Sequence, residues 1–274
     1  MFLGRFMMQA AYCFIDLVGS RTNFTDQTQI LTLLQHLQEK LNDRFPDLLT
    51  PFMVKDGDGL LGGFQAAEQS QLADLFVFCN AYLRSVAFRQ FWQPLFGSTD
   101  LPEFYFGVGL GNLVTVEKTD YQDVNRVNSS AIVNALTAVD QAKRLMQGAT
   151  LPLGYPFSTS LFKWQLVTDW SAETANGISA LFYLIYERLL NTKLRKETFA
   201  LLYAQPNLKR YELAQILWEA YGNTTYQVDY TQQKERAVAS SKISRLLNQM
   251  DYPLIKQTLT TVRAQLMSLA EVNV

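Results

Sequence analysis

The stretch Ala11-Tyr12-Cys13-Phe14-Ile15-Asp16-Leu17-Val18-Gly19-Ser20-Arg21 decides how this sequence is interpreted. It is a short apolar and aromatic run, typical of a strand that is buried on both faces. The run ends in one carboxylate, which is followed by a glycine-containing turn. A carboxylate at the end of a buried strand loses its hydration unless something binds it. The stretch therefore predicts a central strand that carries a binding group, Asp16, at its end.

A second acidic turn lies in Val54-Lys55-Asp56-Gly57-Asp58-Gly59-Leu60-Leu61-Gly62-Gly63-Phe64. It separates two apolar segments, and its Asp-Gly pairs supply the positive φ that a tight hairpin turn requires. If this hairpin pairs with the first strand, Asp16 and Asp58 meet at one edge of the sheet. Two such carboxylates suit Mg²⁺ or Mn²⁺ carrying a nucleotide phosphate. The alternative is structural: Asp16 caps the next turn through backbone N–H groups, and Asp58 is an ordinary turn residue.

The composition is that of an ordinary globular protein, with 48% apolar residues, 18% charged residues and a formal net charge of −1 over 274 residues. This balance excludes a global electrostatic attraction to nucleic acid or to a membrane. The charge is uneven, however. Residues 191–274 carry 11 Lys and Arg against 7 Asp and Glu, whereas residues 1–190 carry 13 against 18. The basic C-terminal segment is a hint of nucleic-acid contact there.

Residues that often carry catalysis or metal binding are scarce. Cys13 and Cys79 lie in apolar runs, so we predict buried free thiols, which fits a reducing cytoplasm. His36 is the single histidine, and a histidine triad or a zinc site has little support. The N-terminal segment lacks the long apolar region of a signal peptide, and no run approaches the ~18 apolar residues of a membrane span. We therefore expect a cytoplasmic protein.

Apolar spacing and chain breakers predict the order β-α-β-β-α-β-β-α for the first part of the chain. This order indicates an α+β protein with a ferredoxin-like, split βαβ core and an added hairpin. Besides the first strand and the acidic hairpin, the predicted elements are a helix capped at Thr25-Asp26 and ended by Pro46, a long helix at 66–95, a second hairpin that turns at Gly111, and a helix at 125–146.

The pattern changes near residue 150. Residues 151–159 contain Pro and Gly and are interpreted as a linker, and residues 160–170 fit either a strand or a helix. Ser171 then caps a helix that is predicted to continue to Asn191. Four shorter helices follow, at 193–204, 208–221, 233–249 and 252–270. We therefore predict two domains, residues 1–150 and an all-helical domain of residues 151–274.

Three motifs, taken in order, resemble the nucleotidyl cyclase fold shared by class III adenylyl and guanylyl cyclases, diguanylate cyclases and archaeal GTP cyclohydrolase of the third type. They are the strand end Phe14-Ile15-Asp16-Leu17-Val18-Gly19-Ser20, the hairpin Lys55-Asp56-Gly57-Asp58-Gly59-Leu60, and the strand Phe106-Gly107-Val108-Gly109-Leu110-Gly111-Asn112-Leu113-Val114. Within that group the chain most resembles the SatD family of bacterial proteins. Members of that family carry an Asp-Ile-Val-Gly-Ser-Arg opening and a C-terminal helix-turn-helix.

The resemblance implies roles for the first turn and the hairpin. In the cyclases two aspartates hold Mg²⁺ ions, which bridge the triphosphate and lower the pKa of the attacking hydroxyl. Asp16 and Asp58 take those positions here, with Mg²⁺ or Mn²⁺ as the expected cofactor. The phosphates would face backbone N–H groups at a helix N-terminus. The implied nucleotide-binding residues are Leu17, Val18, Gly19, Ser20, Arg21 and Lys55.

The chain differs from the cyclases at residues on which cyclase catalysis depends. Asn128 offers the cyclase Asn, but Ile132 stands where the cyclases have the Arg that stabilises the transferring phosphate. Lys55 lies three residues before Asp58, whereas the base-selecting Lys of the cyclases lies four before it. The Gly-Gly-Asp-Glu-Phe turn of diguanylate cyclases is absent. Because electrostatic stabilisation does most of the work in phosphoryl transfer, loss of the Arg argues for binding without turnover, or for another reaction.

Two C-terminal segments resemble the helices of a helix-turn-helix. They are Tyr211-Glu212-Leu213-Ala214-Gln215-Ile216-Leu217 and, as the recognition helix, Ala239-Ser240-Ser241-Lys242-Ile243-Ser244-Arg245-Leu246-Leu247. The residues predicted to pack inward are Ile243, Leu246 and Leu247. The outward residues suited to phosphate and base-edge contacts are Ser240, Ser241, Lys242, Ser244 and Arg245. About 20 residues intervene where such a turn has three or four. They form either an insertion, such as a hairpin at Gly222-Asn223, or a degenerate motif; the alternative is a helical bundle with a solvated polar face.

These observations support three hypotheses. We favour a cytoplasmic regulatory protein with a cyclase-like domain that binds metal and a nucleoside triphosphate or derivative, and a helical domain that binds DNA or a protein partner. The alternative is an active nucleotidyl cyclase, or a related enzyme acting on nucleoside triphosphates with two metal ions. Cyclases assemble their sites across a dimer, so a homodimer is part of both hypotheses. The third is a scaffold without an active site.

Overall fold

The chain folds into an α+β structure built on a five-stranded mixed sheet. The computed structural model describes residues 8–20, 24, 26–97, 101–113, 121, 123–124, 126–127, 129–146 and 162–271. The strands are β1 (Met8–Leu17), β2 (Thr50–Lys55), β3 (Gly59–Gln65), β4 (Phe104–Leu113) and β5 (Phe162–Thr168). They lie in the order β2-β3-β1-β4-β5, and every pair is antiparallel except β4 with β5. None of the helices described is long and apolar enough to cross a membrane.

The predicted acidic hairpin is confirmed. β2 and β3 pair across a turn in which Asp56 has a φ of 56° and Gly57 a φ of 83°. The left-handed conformation at Gly57 favours glycine, and Asp is among the few other residues that adopt it readily. β3 pairs with β1, and Asp16 lies opposite Gly59. The hairpin therefore lies beside the first strand, as the sequence predicts.

The helices that precede β4 follow local signals. α1 (Gln27–Arg44) begins after Asp26, whose side chain accepts a hydrogen bond from the backbone of Thr28, so the predicted cap is confirmed. The long helix predicted at 66–95 is wrong. In its place the chain forms a 3-10 turn (Ala66–Glu68), α2 (Gln71–Leu83) and α3 (Val86–Phe96). The break comes at Ser85, which caps α3 by accepting from the backbone N–H of Phe88 at 3.1 Å.

The second predicted hairpin is also wrong. Gly111 lies inside β4, opposite Ala10 of β1, and the helix expected from residue 125 is α4 (Ser130–Met146). A Cβ atom at Gly111 would overlap the Ser130 side chain. Gly111 is therefore needed for close packing and not for a turn. Residues 162–168, which fitted a strand or a helix, form β5 parallel to β4.

α4 lies directly on β4 because Gly107, Gly109 and Gly111, at every second residue of the strand, all lie on the face that α4 covers. A Cβ at Gly107 or Gly109 would collide with the backbone of α4 at Ala135 or Ala131 respectively. These glycines therefore serve the close packing of α4 on β4. α4 passes Gly111 near its start and Gly107 at Val139, so it runs antiparallel to β4. Its last turn therefore arrives beside the strand end that carries Asp16.

The N-terminal end of α4 is tied to the ends of β4 and β5. The Nδ2 atom of Asn134 donates to the carbonyl of Leu110 and to Oδ1 of Asp169, each at 2.9 Å. The Ser130 hydroxyl donates to Oδ2 of Asp169 and accepts from the backbone N–H of Asn112. These hydrogen bonds hold the helix in register with both strands, so the position of its far end is defined as well.

The remaining helices are α5 (Ala172–Tyr183), followed by a π-helical turn (Leu184–Leu189), α6 (Lys193–Ala204), α7 (Arg210–Glu219), α8 (Gln233–Gln249) and α9 (Tyr252–Glu271). The bounds of α6 and α8 are those predicted from the sequence. The helix expected to reach Asn191 changes to the π-helical turn at Leu184. Cys13 and Cys79 are buried, and neither forms a disulfide within the described part of the chain, as predicted.

The chain divides into two compact units that do not follow the predicted boundary. The first draws its described residues from 1–72, 102–182 and 262–274, and the second from 73–101 and 183–261. The first unit contains the sheet, and the second is helical. The division expected at residue 150 is not observed, because β5 lies beyond it and pairs with β4.

Candidate functional site

Asp16 lies on the face of the sheet that α4 covers. Side chains alternate along a strand, so Tyr12, Phe14 and Asp16 share one face of β1. Tyr12 and Phe14 pack in a buried cluster with Ala135 and Val139 of α4. Asp16 is next in that row and is only 6% exposed. The sheet therefore holds a carboxylate at the margin of an apolar core, where it needs a charged or hydrogen-bonding partner.

Lys143, on the last turn of α4, is the partner that the structure shows. Its Nζ lies 2.9 Å from Oδ2 of Asp16 and 5.9 Å from the ring centroid of Tyr105, which is opposite Asp16 in the sheet. The Lys143 side chain is 41% exposed, so solvent reaches the pair from one side. The sequence did not single out Lys143. Its only signal was a lysine in the last turn of a helix that follows a glycine-rich strand.

The charges around Asp16 are predominantly negative. Burial raises the pKa of the Asp16 carboxyl above its ordinary value, and the hydrogen bond and charge of Lys143 oppose that effect. The charges of Asp58 and Asp140 raise the pKa further. Among the charged groups that the structure describes around Asp16, one ammonium group therefore interacts with three carboxylates, Asp16, Asp58 and Asp140. Such an arrangement is stabilised by additional positive charge.

Asp58 is joined to the first turn by hydrogen bonds. The Ser20 hydroxyl donates to Oδ2 of Asp58 at 3.0 Å, and the backbone N–H of Leu17 donates to the Asp58 carbonyl at 3.2 Å. The N–H of Val18 donates to the carbonyl of Glu103 at 2.9 Å. Gly19 has a φ of 66°, which turns the chain between Val18 and Ser20. The two predicted metal-binding residues thus lie at the same edge of the sheet.

These hydrogen bonds show that part of the predicted nucleotide-binding site is wrong. The N–H groups of Leu17 and Val18 are used within the fold and do not face a phosphate. α1 begins only at Gln27, so the first turn does not lead directly into a helix N-terminus. Lys55 ends β2 opposite Gly59 and is half-buried. Arg21 and Asn128 lie outside the residues that the structure describes.

The donor types at this edge suit a hard cation. Carboxylate oxygens are the ligands that Mg²⁺ and Mn²⁺ prefer, and the excess of negative charge favours a divalent ion. The Lys143 ammonium contacts one oxygen of Asp16, so an ion at Asp16 would share or displace that contact. Within the described ranges, no group of three or more His, Cys, Asp or Glu side chains could by itself hold a metal. Asp16 and Asp58 would therefore need phosphate, water or backbone oxygens to complete a metal shell.

The predicted recognition helix is α8, and three of its five candidate side chains bond within the unit. The hydroxyl of Ser240 donates to the carbonyl of Arg236, and that of Ser244 donates to the carbonyl of Ser240, each at 2.8 Å. The Lys242 Nζ donates to the carbonyl of Thr225 at 2.7 Å. These bonds position the helix, and they leave Ser240, Lys242 and Ser244 less available to a nucleic acid than predicted.

The other two candidates, Ser241 and Arg245, are exposed. Their helix packs through Ile243 and Leu246 into a buried cluster with α7, as the sequence predicted. The segment between α7 and α8 is not a hairpin at Gly222. It forms a 3-10 turn (Thr224–Tyr226), whose Tyr226 is buried in the same cluster. The connection therefore contributes to the core of the helical unit.

Comparisons with known proteins found no relative of this chain. No family profile, no curated protein and no solved structure matches it. Any role for the edge formed by Asp16 and Asp58, or for α8, therefore depends on the residues described above and on general chemistry.

Proposed function

We propose that the edge formed by Asp16 and Asp58 binds a divalent cation together with the phosphates of a nucleotide. The protein would be a cytoplasmic regulator of SatD type with a nucleotidyl cyclase-like sheet domain. The observation that carries this proposal is that Asp16 and Asp58, far apart in the sequence, lie at one edge of the sheet, where burial and the charges of Asp58 and Asp140 raise the pKa of Asp16. Carboxylates gathered in this way, with Lys143 as the cation described beside Asp16, are typical of sites that bind an ion.

The side chains around the edge would have separate tasks. Asp16 and Asp58 would supply the carboxylate oxygens, and Ser20 holds Asp58 in place through its 3.0 Å hydrogen bond. Mg²⁺ or Mn²⁺, when bound, would neutralise the phosphate charge. Lys143 then no longer has to compensate Asp16. Because its side chain is partly exposed, its ammonium group can turn to a phosphate oxygen instead.

We favour binding without turnover. Ile132, half-buried on α4, stands where the cyclases have their catalytic Arg. The alternative of an active enzyme that processes nucleoside triphosphates has one observation in its favour, which is Arg144, exposed on α4 directly after Lys143. Formation of a new product from a triphosphate with Mg²⁺ or Mn²⁺ in wild-type protein, lost in Asp58→Asn, would establish that alternative.

The proposed DNA contact of the helical unit belongs to the exposed side of α8, at Ser241 and Arg245. It is supported by the basic excess of residues 191–274 and by the packing of α8 against α7. A dimer would place two copies of this side on one duplex, as helix-turn-helix proteins do.

The nucleotide proposal is tested by thermal unfolding with a non-hydrolysable triphosphate and Mn²⁺. A ligand at about 100 times its Kd stabilises the folded state by about 2.7 kcal/mol. We expect the wild-type Tm to rise and Asp58→Asn to lose that rise. Asp56→Asn is the matched control, because Asp56 lies in the same turn but is exposed, and Asn accepts its φ of 56°. Absence of a wild-type shift at about millimolar ligand, or equal shifts in Asp58→Asn and wild type, would contradict the proposal.

A further inference from the structure

The helical unit buries a group of charged side chains apart from the edge formed by Asp16 and Asp58. Arg84, directly after α2, is 5% exposed, and Glu197 on α6 is buried as well. Nη2 of Arg89, on α3, lies 2.6 Å from Oε1 of Glu197, and Nζ of Lys193 lies 3.9 Å from the same oxygen. Removing charges from water costs several kcal/mol for each ion unless partners compensate it. Charged groups buried in this number therefore need partners that compensate their charges.

Basic groups outnumber acidic groups in this set. Arg84 interacts electrostatically with Glu187 and Glu197, and also with the cations Arg89 and Lys196. Burial lowers the pKa of Arg84 to about 10. Burial and the charge of Arg84 together lower the pKa of Lys196. The charge of Glu187 opposes both effects on Lys196. Three cations, Arg84, Arg89 and Lys196, nevertheless interact with the two carboxylates Glu187 and Glu197, so positive charge is left over beside Arg84.

Three buried donors in the same set have no hydrogen-bond partner within the part of the chain that the structure describes. Asn80 accepts a hydrogen bond from Arg84 through Oδ1, but its Nδ2 donates to nothing. The Tyr186 hydroxyl and Nε of Arg89 are also unpartnered. A buried donor without a partner destabilises the folded state, because it has lost its hydrogen bond to water. All three are hydrogen-bond donors, so each would be satisfied by a hydrogen-bond acceptor.

Tyr186 lies on the π-helical turn Leu184–Leu189. Its ring packs edge-on against Phe76 of α2, with centroids 4.6 Å apart. Burial raises the pKa of its hydroxyl, while the charge of Arg84 acts in the opposite direction, so the hydroxyl lies within the field of the guanidinium. π-helical turns inside α-helices occur frequently at functional sites. This turn places a buried donor beside a buried cation.

We propose that this set, defined by Asn80, Arg84, Tyr186 and Lys196, is a binding site for the oxyanion group of a small ligand. The guanidinium of Arg84 and the ammonium of Lys196 would supply the charge. Asn80 and Tyr186 would supply neutral hydrogen bonds. A bound phosphate or carboxylate group relieves the repulsion between Arg84 and Lys196. It also accepts hydrogen bonds from Nδ2 of Asn80 and from the Tyr186 hydroxyl. The proposal uses no residue of the edge formed by Asp16 and Asp58 and stands independently of a function there.

The test measures thermal unfolding of the full chain with inorganic phosphate and, separately, with citrate, at constant ionic strength and after protein and buffers have been passed over a chelating resin. The resin removes divalent cations and leaves no chelator in solution, so binding that depends on Asp16 and Asp58 does not contribute. We expect one of the anions at about 10 mM to raise the Tm of the wild-type protein. Lys196→Gln loses that rise. Lys193→Gln is the matched control, because it removes the same charge from the same helix at a side chain that is 73% exposed, and it keeps the rise.

Lys196→Gln is preferred to a change at Arg84 because Lys196 is only half-buried and its removal relieves a like-charge interaction. The unliganded variant should therefore unfold at or above the wild-type Tm. A rise with phosphate alone identifies phosphate as the recognised group, and a rise with citrate alone identifies carboxylate. If neither anion raises the wild-type Tm, or if Lys196→Gln keeps the full rise, the proposal is overturned.

Discussion

At the scale of single residues, the central feature is a buried carboxylate whose partner comes from far along the chain. Asp16 was recognisable in the sequence because a charge ended an apolar strand. Its partner was not, because nothing near Lys143 in the sequence distinguishes it from any other helical lysine. The sequence predicted a metal cation at Asp16, and the structure shows the Lys143 ammonium group there. Either positive charge offsets the lost hydration of the buried carboxylate.

The raised pKa of Asp16 predicts how stability depends on pH. A carboxyl group with a raised folded-state pKa contributes stability below its unfolded value, here 3.8, and that contribution is lost as pH rises through the folded-state pKa. Asp16→Asn removes the titration. We expect the free energy of unfolding of the variant, relative to wild type, to increase as pH rises from about 4 and then to level off, measured by urea unfolding.

The control for this experiment is Asp47→Asn, which changes an exposed aspartate of the same unit. Its difference from wild type should not follow the Asp16→Asn profile. Parallel stability curves for Asp16→Asn and wild type over the acid range would contradict the raised pKa of Asp16.

At the scale of elements, local signals predicted some structures well and misjudged others. The Asp-Gly hairpin, the Asp26 cap and the bounds of α6 and α8 depend on a few neighbouring residues, and they were predicted correctly. Gly111 was predicted to be a turn because glycine is common in turns. In the structure, Gly111 lets α4 approach β4 closely. The local sequence around Gly111 does not indicate this, because the helix that packs there comes later in the chain.

The glycine row of β4 gives a prediction at this scale. Gly109→Ala places a methyl group against the α4 backbone at Ala131, so the helix must move away from the strand. Overpacking of this kind costs about 1–3 kcal/mol. The displacement should also weaken the contact between Lys143 and Asp16. Chemical denaturation measures the first effect. Because Lys143 opposes the rise in the pKa of Asp16, a larger pH dependence of the Asp16→Asn effect in the Gly109→Ala background measures the second.

Gly177→Ala in α5 is the matched control for Gly109→Ala. A Cβ at Gly177 meets no atom within 4 Å, and the position is exposed inside a helix. Alanine there should stabilise the protein by about 0.5–1 kcal/mol. Equal effects of the two substitutions would show that α4 does not rest on the glycines of β4.

At the scale of the whole molecule, the helical unit is assembled from separate stretches of chain. Residues 73–101, which carry α3 and nearly all of α2, belong to the unit that also contains α6, α7 and α8. The sequence predicted a simple division at residue 150, because composition changes there. Which segments share a core depends on long-range packing, and a change of composition along the chain does not report it.

The near-zero net charge gives a prediction for DNA binding. With a charge of −1, attraction to a duplex must come from the local surface of α8 and must weaken steeply with salt. We expect Arg245→Gln to reduce the affinity for a labelled duplex several-fold at about 50 mM salt, measured by fluorescence anisotropy. Lys234→Gln, which removes an exposed charge at the start of the same helix, should change it less. Equal losses in both variants would indicate only general electrostatic attraction.

By itself, the sequence determined the features that depend on backbone geometry over a few residues: the turn at Asp56-Gly57, the cap at Asp26, the apolar strand that ends in Asp16, and the inward side of α8. Only the tertiary structure decided that Lys143 meets Asp16, that α4 lies on the glycines of β4, and that Arg84 is buried beside Tyr186. The physical reason is that burial and charge compensation depend on which distant segments pack together. Those contacts are set by the free energy of the whole fold and leave no short-range pattern in the chain.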